Sequence, residues 1–111
     1  MPAEFELRKS KTNTFTYHLK LAFGQILFNS PEMPDKNGAI AGMESCRQRG
    51  ADDANYERKK LSTGAHYFVL KSADGQVIGK SELYSSPKTL ENGIEQAKAE
   101  TPAAKFEDKE T

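Results

Sequence analysis

The sequence has few of the residues that build disulfides and zinc sites. It contains one cysteine, two histidines and no tryptophan. A single thiol cannot form an internal disulfide, and these residues cannot supply the ligand set of a zinc ion. We therefore expect no metal and no cofactor. The unpaired thiol favours a reducing, cytoplasmic location.

Long hydrophobic runs and an excess of charge are also missing. No stretch approaches the roughly 18 apolar residues of a membrane-spanning helix, and residues 1–11 lack the apolar centre of a signal peptide. The 16 Lys and Arg balance the 16 Asp and Glu, so the formal net charge is zero. That balance argues against a dedicated non-specific nucleic-acid binder, which carries excess positive charge.

What the sequence does contain is an internal repeat. GQIL at 24–27 and GQVI at 75–78 lie 51 positions apart (75 − 24), and this offset aligns further residues on both sides without a gap. Such self-similarity indicates a repeated structural unit. It predicts a single domain over 1–111, made by tandem duplication, with repeat 1 at 4–51 and repeat 2 at 55–102.

Each repeat begins with an aromatic residue followed by glutamate, at Phe5 and Tyr56. The same pair occurs a third time at Phe106, after the second repeat has ended. This third occurrence predicts a closing strand near 104–108, and the charged residues after it predict a disordered tail.

Period-two alternation of apolar and polar residues predicts a strand from Phe15 to Phe23, with a matching strand around His66 to Leu70. The predicted first and third strands lie at 4–9 and 25–30 in repeat 1, and at 55–60 and 76–82 in repeat 2. A three-residue loop with only Gly24 and Gly75 left-handed suits both hairpins, because a type I′ turn would give Phe23 a positive φ. The register that follows pairs Leu19 with Leu27 and Leu70 with Ile78.

A helix is predicted at the end of each repeat. Ser86 suits the N-cap with Pro87 after it, and Asp35 is the equivalent cap. The apolar stripes are Ala39, Met43, Cys46, Leu90, Ile94 and Ala97. Gly42 and Gly93, next to these stripes, predict a close approach of each helix to the sheet. The predicted fold is α+β, a tandem duplication of a βββα unit in one small domain.

The second repeat carries several motifs together. They are the aromatic strand Tyr67-Phe68, the pair Leu70-Lys71, DGQVI at 74–78, Ser81-Glu82, Tyr84-Ser85-Ser86 and Asn92-Gly93-Ile94. With these motifs the chain resembles the YegP-like family of small, mostly bacterial proteins of unknown function, over about residues 4–108. The resemblance implies a tandem βββα(β) unit, two βββαβ repeats that exchange their last strands and form one antiparallel sheet with two helices on one face. It supplies no catalytic residues. Repeat 1 has Pro31 to Asp35 in place of the Tyr-Ser-Ser segment, so at most one copy of any site there remains.

Two groups of residues are candidates for a binding site. Tyr84, Ser85 and Ser86 precede the second helix and Asn92 lies within it, so this segment suits an anion or a peptide at a helix N-terminus. The alternative is structural, with Tyr84 packed at a corner and Ser86 capping. A basic strand surface is the second candidate, comprising Arg8, Lys9, Lys11, Arg58, Lys59 and Lys60. Neighbouring aromatics would allow weak binding of single-stranded nucleic acid, against a solvated strand face.

No pair of titratable residues has a spacing that indicates acid–base catalysis. We therefore expect a non-enzymatic interaction or structural module of unknown ligand, with weak nucleic-acid binding as the alternative. A protein partner is possible and no membrane contact is expected. A monomer is expected, since two fused units supply in one chain the pairing that a single unit would gain by dimerising.

Overall fold

The computed structural model describes residues 3–108, which form seven strands and two long helices. The strands are β1 (Glu4–Lys9), β2 (Phe15–Lys20), β3 (Ile26–Asn29), β4 (Tyr56–Lys60), β5 (His66–Lys71), β6 (Val77–Ser81) and β7 (Lys105–Asp108). The helices are α1 (Lys36–Arg49) and α2 (Pro87–Glu100), followed by 3-10 turns at Asp53–Asn55 and Thr101–Ala103. The predicted closing strand coincides with β7, and the tail predicted to be disordered lies outside the described residues.

All seven strands form one sheet in the order β4-β5-β6-β3-β2-β1-β7. Neighbouring strands are antiparallel except β1 and β7, which run parallel. The prediction of one antiparallel sheet is therefore wrong at this edge. The reason is that no hairpin joins β1 and β7, so no short turn imposes an antiparallel direction on this pair.

Both helices cover the same face of the sheet. The side chains of the two predicted stripes are buried, and they join the inward-facing residues of the strands in one core cluster. The strand residues at its centre are Phe5, Leu7, Tyr17, Leu19, Phe28, Phe68 and Leu70. The opposite face of the sheet has no helix among residues 3–108 and carries mainly charged and polar side chains.

The first half of the chain (β1 to α1) and the second half (β4 to α2) place counterparts, residues 51 positions apart, in matching positions. β2 and β5 begin at counterparts, Phe15 and His66, and so do α1 and α2. The halves meet at the centre of the sheet, where β3 pairs with β6. Asn29 pairs with Lys80, and these two residues are counterparts of each other. An approximate two-fold axis therefore passes through this β3–β6 seam.

The three-residue loops of the β2–β3 and β5–β6 hairpins are confirmed. The Leu21 amide donates to the Gln25 carbonyl at 2.7 Å and closes the first loop. Gly24 has φ +92° and Gly75 has φ +85°, a region that glycine enters without strain. Phe23 therefore keeps a negative φ at the tip of its hairpin.

The predicted pairing of these hairpins is wrong beyond the turn, because each contains a β-bulge. Lys20 lies opposite Ile26 as the loop requires, but Leu19 then lies opposite Phe28. In the second half Leu70 lies opposite Gly79. The extra residues are Leu27 and Ile78. A bulge bends the strand and redirects its side chains, which lets two consecutive residues of each hairpin reach the core.

Both helices begin at the predicted caps. The Asp35 carboxylate accepts a hydrogen bond from the Gly38 amide at 2.6 Å. The Ser86 hydroxyl oxygen accepts one from the Thr89 amide at 3.2 Å, and Pro87 is the first helical residue. Each cap satisfies an amide that has no partner within the helix.

The helix glycines lie close to the sheet, as predicted, and in both halves a tyrosine fills the space. A Cβ atom on Gly42 would lie 2.7 Å from the Tyr17 hydroxyl oxygen, and one on Gly93 would overlap the Tyr84 hydroxyl. Tyr17 belongs to β2, whereas Tyr84 lies between β6 and α2. The counterpart of Tyr17 is Phe68, which has no hydroxyl. The two halves therefore solve the same packing problem with side chains from different positions.

Next to the seam, the two-fold relation forces one pair of counterparts to differ in size. Phe28 and Gly79 are counterparts, and a Cβ atom on Gly79 would lie 2.5 Å from Cδ1 of the Phe28 ring. Phe28 is fully buried, and its ring contacts those of Phe5 and Phe68. Because both positions face the same space, only one of them can carry a large side chain.

We predict that Gly79→Ala lowers the free energy of unfolding by about 1–3 kcal/mol, the usual cost of overpacking a core. The Phe28 ring is held between two other rings and cannot move away without disturbing them. Urea denaturation of the variant measures the loss. Lys88→Ala, at an exposed position of α2, is the control and should change stability by about 0.5 kcal/mol or less. An unchanged denaturation midpoint for Gly79→Ala would contradict this packing.

Candidate functional site

The Tyr84-Ser85-Ser86 segment connects β6 to α2, and two of its side chains have structural contacts. The Tyr84 ring stacks on Phe68 with ring centroids 6.4 Å apart, and its hydroxyl lies against Gly93. Ser86 caps α2. Ser85 and Asn92 are exposed and could still contact a ligand. These contacts favour the structural interpretation for Tyr84 and Ser86, and a binding site here stays a prediction.

The six basic residues of the predicted strand surface do not come together on one face. They are Arg8, Lys9, Lys11, Arg58, Lys59 and Lys60, and they lie on or next to β1 and β4, which four strands separate. Arg58 is on the helix-covered side, where its guanidinium binds Glu91 and Asp53. Arg8 and Lys59 are on the opposite face, each in contact with a glutamate. Lys9 lies over the Phe15 ring.

The helix-free face instead carries a buried charge cluster that the sequence analysis did not identify. Glu6 is only 1% exposed, although it lies on a face without helices. One carboxylate oxygen lies 2.7 Å from His18 Nε2 and 3.3 Å from Arg8. The other lies 3.4 Å from Lys20 Nζ. Glu6 and His18 are directly opposite in the β1–β2 register, so a correct register for this hairpin would have revealed the pair.

The second half has a counterpart cluster with one substitution. Glu57, the counterpart of Glu6, contacts Lys59 at 2.6 Å and also contacts Lys71. Val69 stands where the first half has His18. Glu57 is considerably more exposed than Glu6. The repeated arrangement indicates that cross-strand ion pairs organise this face in both halves, and only the first half encloses its carboxylate.

Both glutamates have a lowered pKa, but the causes differ. Burial alone would raise the pKa of the Glu6 carboxyl, but the hydrogen bond with His18 and the positive charge of Lys20 outweigh it and lower the pKa to about 2. Hydrogen bonds from Lys59 and Lys71 lower the pKa of Glu57 to about 2 as well. Both glutamates are therefore charged acceptors of ion pairs at neutral pH, a structural role.

The Cys46 side chain is buried under α1, where its thiol contacts two polar atoms. Its Sγ is 3.7 Å from the Tyr17 hydroxyl and 3.7 Å from the Ile78 carbonyl oxygen, to which Tyr17 donates at 2.5 Å. Burial raises the pKa of the Cys46 thiol to about 12, and burial also raises that of Tyr17. A reactive cysteine needs an exposed, electropositive setting. Cys46 is therefore a small, buried residue of the core.

An unusual surface feature is the tip of the β2–β3 hairpin. Phe23 is 99% exposed there. It borders a shallow groove of about 260 Å³ between the hairpin and the last turns of α2. The groove is lined by Leu21, Ala22, Phe23, Gln25, Gln96, Ala99 and Glu100. The counterpart of Phe23 is Asp74, at the tip of the β5–β6 hairpin.

Within residues 3–108, no group of three or more His, Cys, Asp or Glu side chains is arranged to hold a metal ion. None of the helices in that range has both the length and the apolar character needed to cross a membrane.

Comparisons with known proteins agree with this fold. The chain is 38% identical to a UPF0339 protein of Pseudomonas aeruginosa over 97% of this chain and 98% of that protein. It is 37% identical to the UPF0339 protein YegP of Escherichia coli K12 over 89% of this chain and 90% of YegP. Residues 62–108 match the family model described as a domain of unknown function (DUF1508).

Solved structures show the same architecture. The solution NMR structure of YegP from E. coli, described as a protein of unknown function, has a TM-score of 0.93 and 34% identity, covering 99% of this chain and 95% of that one. A UPF0339 protein from Shewanella oneidensis also has a TM-score of 0.93, at 31% identity, covering 99% of this chain and 93% of that one. The fold is mixed α+β, with one seven-stranded sheet and two helices. The chain belongs to the YegP-like UPF0339 family, whose function is unknown.

We predict that the Glu6 cluster makes stability depend on pH in the acid range. The folded-state pKa of about 2 lies below the ordinary value of 4.5. The stabilisation is therefore complete above pH 4.5 and is lost as the pH falls toward 2. The shift corresponds to about 3 kcal/mol. Chemical denaturation of the wild type and of Glu6→Gln between pH 6 and pH 2 measures it.

In Glu6→Gln the stability should vary much less with pH over this interval. Glu57→Gln is the matched control, and it should change the pH dependence less because water screens its exposed ion pairs. Parallel curves for the wild type and Glu6→Gln would contradict a structural role for the buried carboxylate.

Proposed function

We propose that the chain is a non-enzymatic interaction module that binds a protein partner through Phe23 at the β2–β3 hairpin tip. The observation that carries the proposal is the almost complete exposure of this phenylalanine beside a groove. Aromatic side chains that insert into a partner supply much of the binding energy of protein interfaces. The adjacent groove offers both apolar and polar contacts around such an anchor.

The fold itself gives no reason for a phenylalanine at this position. The β5–β6 hairpin has the same three-residue loop and carries Asp74 at its tip. The turn therefore forms equally well with a polar residue. No side-chain contact to the core compensates for leaving the Phe23 ring in water, so a role outside the fold is the better explanation.

The absence of an enzymatic role is also part of the proposal. The shifted titratable groups described above are either sealed in the core, as Cys46 is, or held in ion pairs, as Glu6 is. Neither arrangement leaves a general acid or base facing a substrate. Weak nucleic-acid binding has less support than a protein partner, because the six basic residues are dispersed and Arg58 is bound to two carboxylates.

We further infer that the chain arose by tandem duplication and is a monomer in the cytoplasm. Matching loops, caps and bulges at counterparts support duplication. The β3–β6 seam joins the halves within one chain, so the fold does not require a second copy to complete its central strands. Sedimentation equilibrium tests this part of the proposal, with the mass of a single chain as the expected result.

We predict that Phe23→Asp abolishes partner binding without changing stability. The substitution copies the residue found at the counterpart position, so the hairpin should fold normally. Affinity capture from cells of the source organism, read by quantitative mass spectrometry, should identify a protein that the wild type enriches and that Phe23→Asp loses by at least about tenfold. Thermal denaturation checks that the variant remains folded.

Asp74→Asn, at the tip of the other hairpin, is the matched control and should capture the same protein as the wild type. The proposal is contradicted if the wild type and Phe23→Asp capture the same proteins in equal amounts. It is also contradicted if Asp74→Asn loses the partner as completely as Phe23→Asp does.

A further inference from the structure

β1 and β7 are two versions of the same segment lying side by side. Their sequences begin Glu-Phe-Glu-Leu and Lys-Phe-Glu-Asp. In the parallel register Phe5 lies beside Phe106, and Glu6 lies beside Glu107. The third occurrence of the aromatic–glutamate pair is thus placed in register with the first.

The direction of β7 matches that of β1. β1 is antiparallel to β2, and β7 is parallel to β1, so β7 also runs antiparallel to β2. It differs only in being one strand further out, roughly 5 Å away. A lateral shift by one strand position, without any reversal, would place β7 directly beside β2.

The second half shows which strand belongs in that position. There β4, the strand that follows α1, pairs with β5, the second strand of that half. The strand that follows α2 is β7, and the equivalent partner for it is β2. Two strands thus resemble β4: β1 lies 51 positions before it, and β7 follows α2 as β4 follows α1. In the structure β1 is the one that pairs with β2.

The outer sides of β4 and β1 carry side chains of different character. On β4, Arg58 binds Glu91 of α2 and closes the edge with charge. Their counterparts on the other side are Leu7 and Ile40, which with Met43, Phe106 and Glu107 line a groove of about 170 Å³ that is apolar apart from the glutamate. Charged residues protect an edge strand from pairing, whereas apolar ones invite it. The outer side of β1 thus lacks the ion pair that closes β4, and it accepts β7 as a further strand.

We propose that β7 is a second occupant of the position beside β2, so that β1 and β7 exchange within one chain. In the exchanged form Phe106 takes the place of Phe5 in the core. The Glu107 carboxylate takes the place of Glu6 beside His18 and Lys20. The segment thus supplies both the apolar and the charged contact that this position requires.

The fourth residue of the segment explains why β1 holds the position in the structure. Leu7 is buried, and the register places Asp108 beside it. An aspartate brings no apolar surface to the core, so the β1 form is the more stable one. β7 is held less completely, since Phe106 remains 37% exposed. Replacing Asp108 by leucine should shift the balance toward the exchanged form.

Disulfide trapping in the full-length chain tests the exchange. Lys20 and Lys105 both lie opposite Glu4, on either side of it. In the structure their Cα atoms are separated by two strand spacings, roughly 10 Å, which is beyond the limit of about 7 Å for a disulfide. Exchange brings them directly opposite each other. Lys20→Cys/Lys105→Cys is therefore a reporter of the exchanged form, and the buried Cys46 stays unchanged.

Two further cysteine pairs calibrate the experiment. Glu4→Cys/Lys20→Cys joins adjacent strands and gives the fastest expected rate. Glu57→Cys/Lys80→Cys lies on the same face, two strands apart across Val69 in the second half, where no second occupant exists. This pair gives the rate that ordinary fluctuations of the sheet produce. Circular dichroism verifies that each variant is folded.

The reporter pair should cross-link within one chain at least about tenfold faster than Glu57→Cys/Lys80→Cys, and Asp108→Leu should accelerate it about tenfold more. In the Asp108→Leu background the Glu4→Cys/Lys20→Cys pair should cross-link more slowly. Equal rates for the reporter pair and the distant control would overturn the proposal. Cross-linked dimers alone would also overturn it, because they would show that strands pass between chains and not within one.

Discussion

The structure depends on the short seam where β3 pairs with β6. Only two residue pairs form it, Phe28 with Ser81 and Asn29 with Lys80. Two further contacts reinforce it: the Phe28 ring lies over Gly79, and the Tyr17 hydroxyl of the first half donates to the Ile78 carbonyl of the second. Because Ile78 is the extra residue of a bulge, its carbonyl lies outside the regular ladder, and the tyrosine gives it a partner.

The seam also explains where the two halves must differ. Residues that face each other across a two-fold axis compete for the same space, so Phe28 requires a glycine as its counterpart. At the outer sides of the sheet the two halves differ for another reason. The sheet has two outer sides, and β7 can cover only one of them. The edge with Leu7 is covered by β7, and the edge with Arg58 is closed by an ion pair. Similar sequences thus acquire unlike residues at the axis and at the ends of the sheet.

Much of this fold can be predicted from the sequence, because local rules decide it. Alternation located the strands, Asp35 and Ser86 located the helix starts, and Gly24 and Gly75 located the tight turns. The bulges escaped prediction because Leu27 and Ile78 fit an ordinary strand equally well, and only packing across the sheet decides between the two. The parallel pairing of β7 escaped for a related reason, since the sequence shows a strand there but not its neighbour.

The candidate sites were harder to predict than the fold. The basic residues look like one surface in the sequence, but the sheet separates β1 from β4. Glu6 and His18 are twelve positions apart and become a pair only through the β1–β2 register. Phe23 reads as part of an alternating strand, and only the turn at Gly24 places it in solvent. For the charged residues the deciding information is the arrangement of strands, which single-residue patterns do not contain. For Phe23 the predicted turn already held the information.

Native-state hydrogen exchange of the backbone amides tests the central claim that the seam makes the two halves one cooperative unit. The account predicts that the slowest amides of β2 and β5 exchange with the same free energy, equal to that of global unfolding. It further predicts that Tyr17→Phe lowers both values together. The account is contradicted if the amides of one half exchange at a distinctly lower free energy than those of the other half.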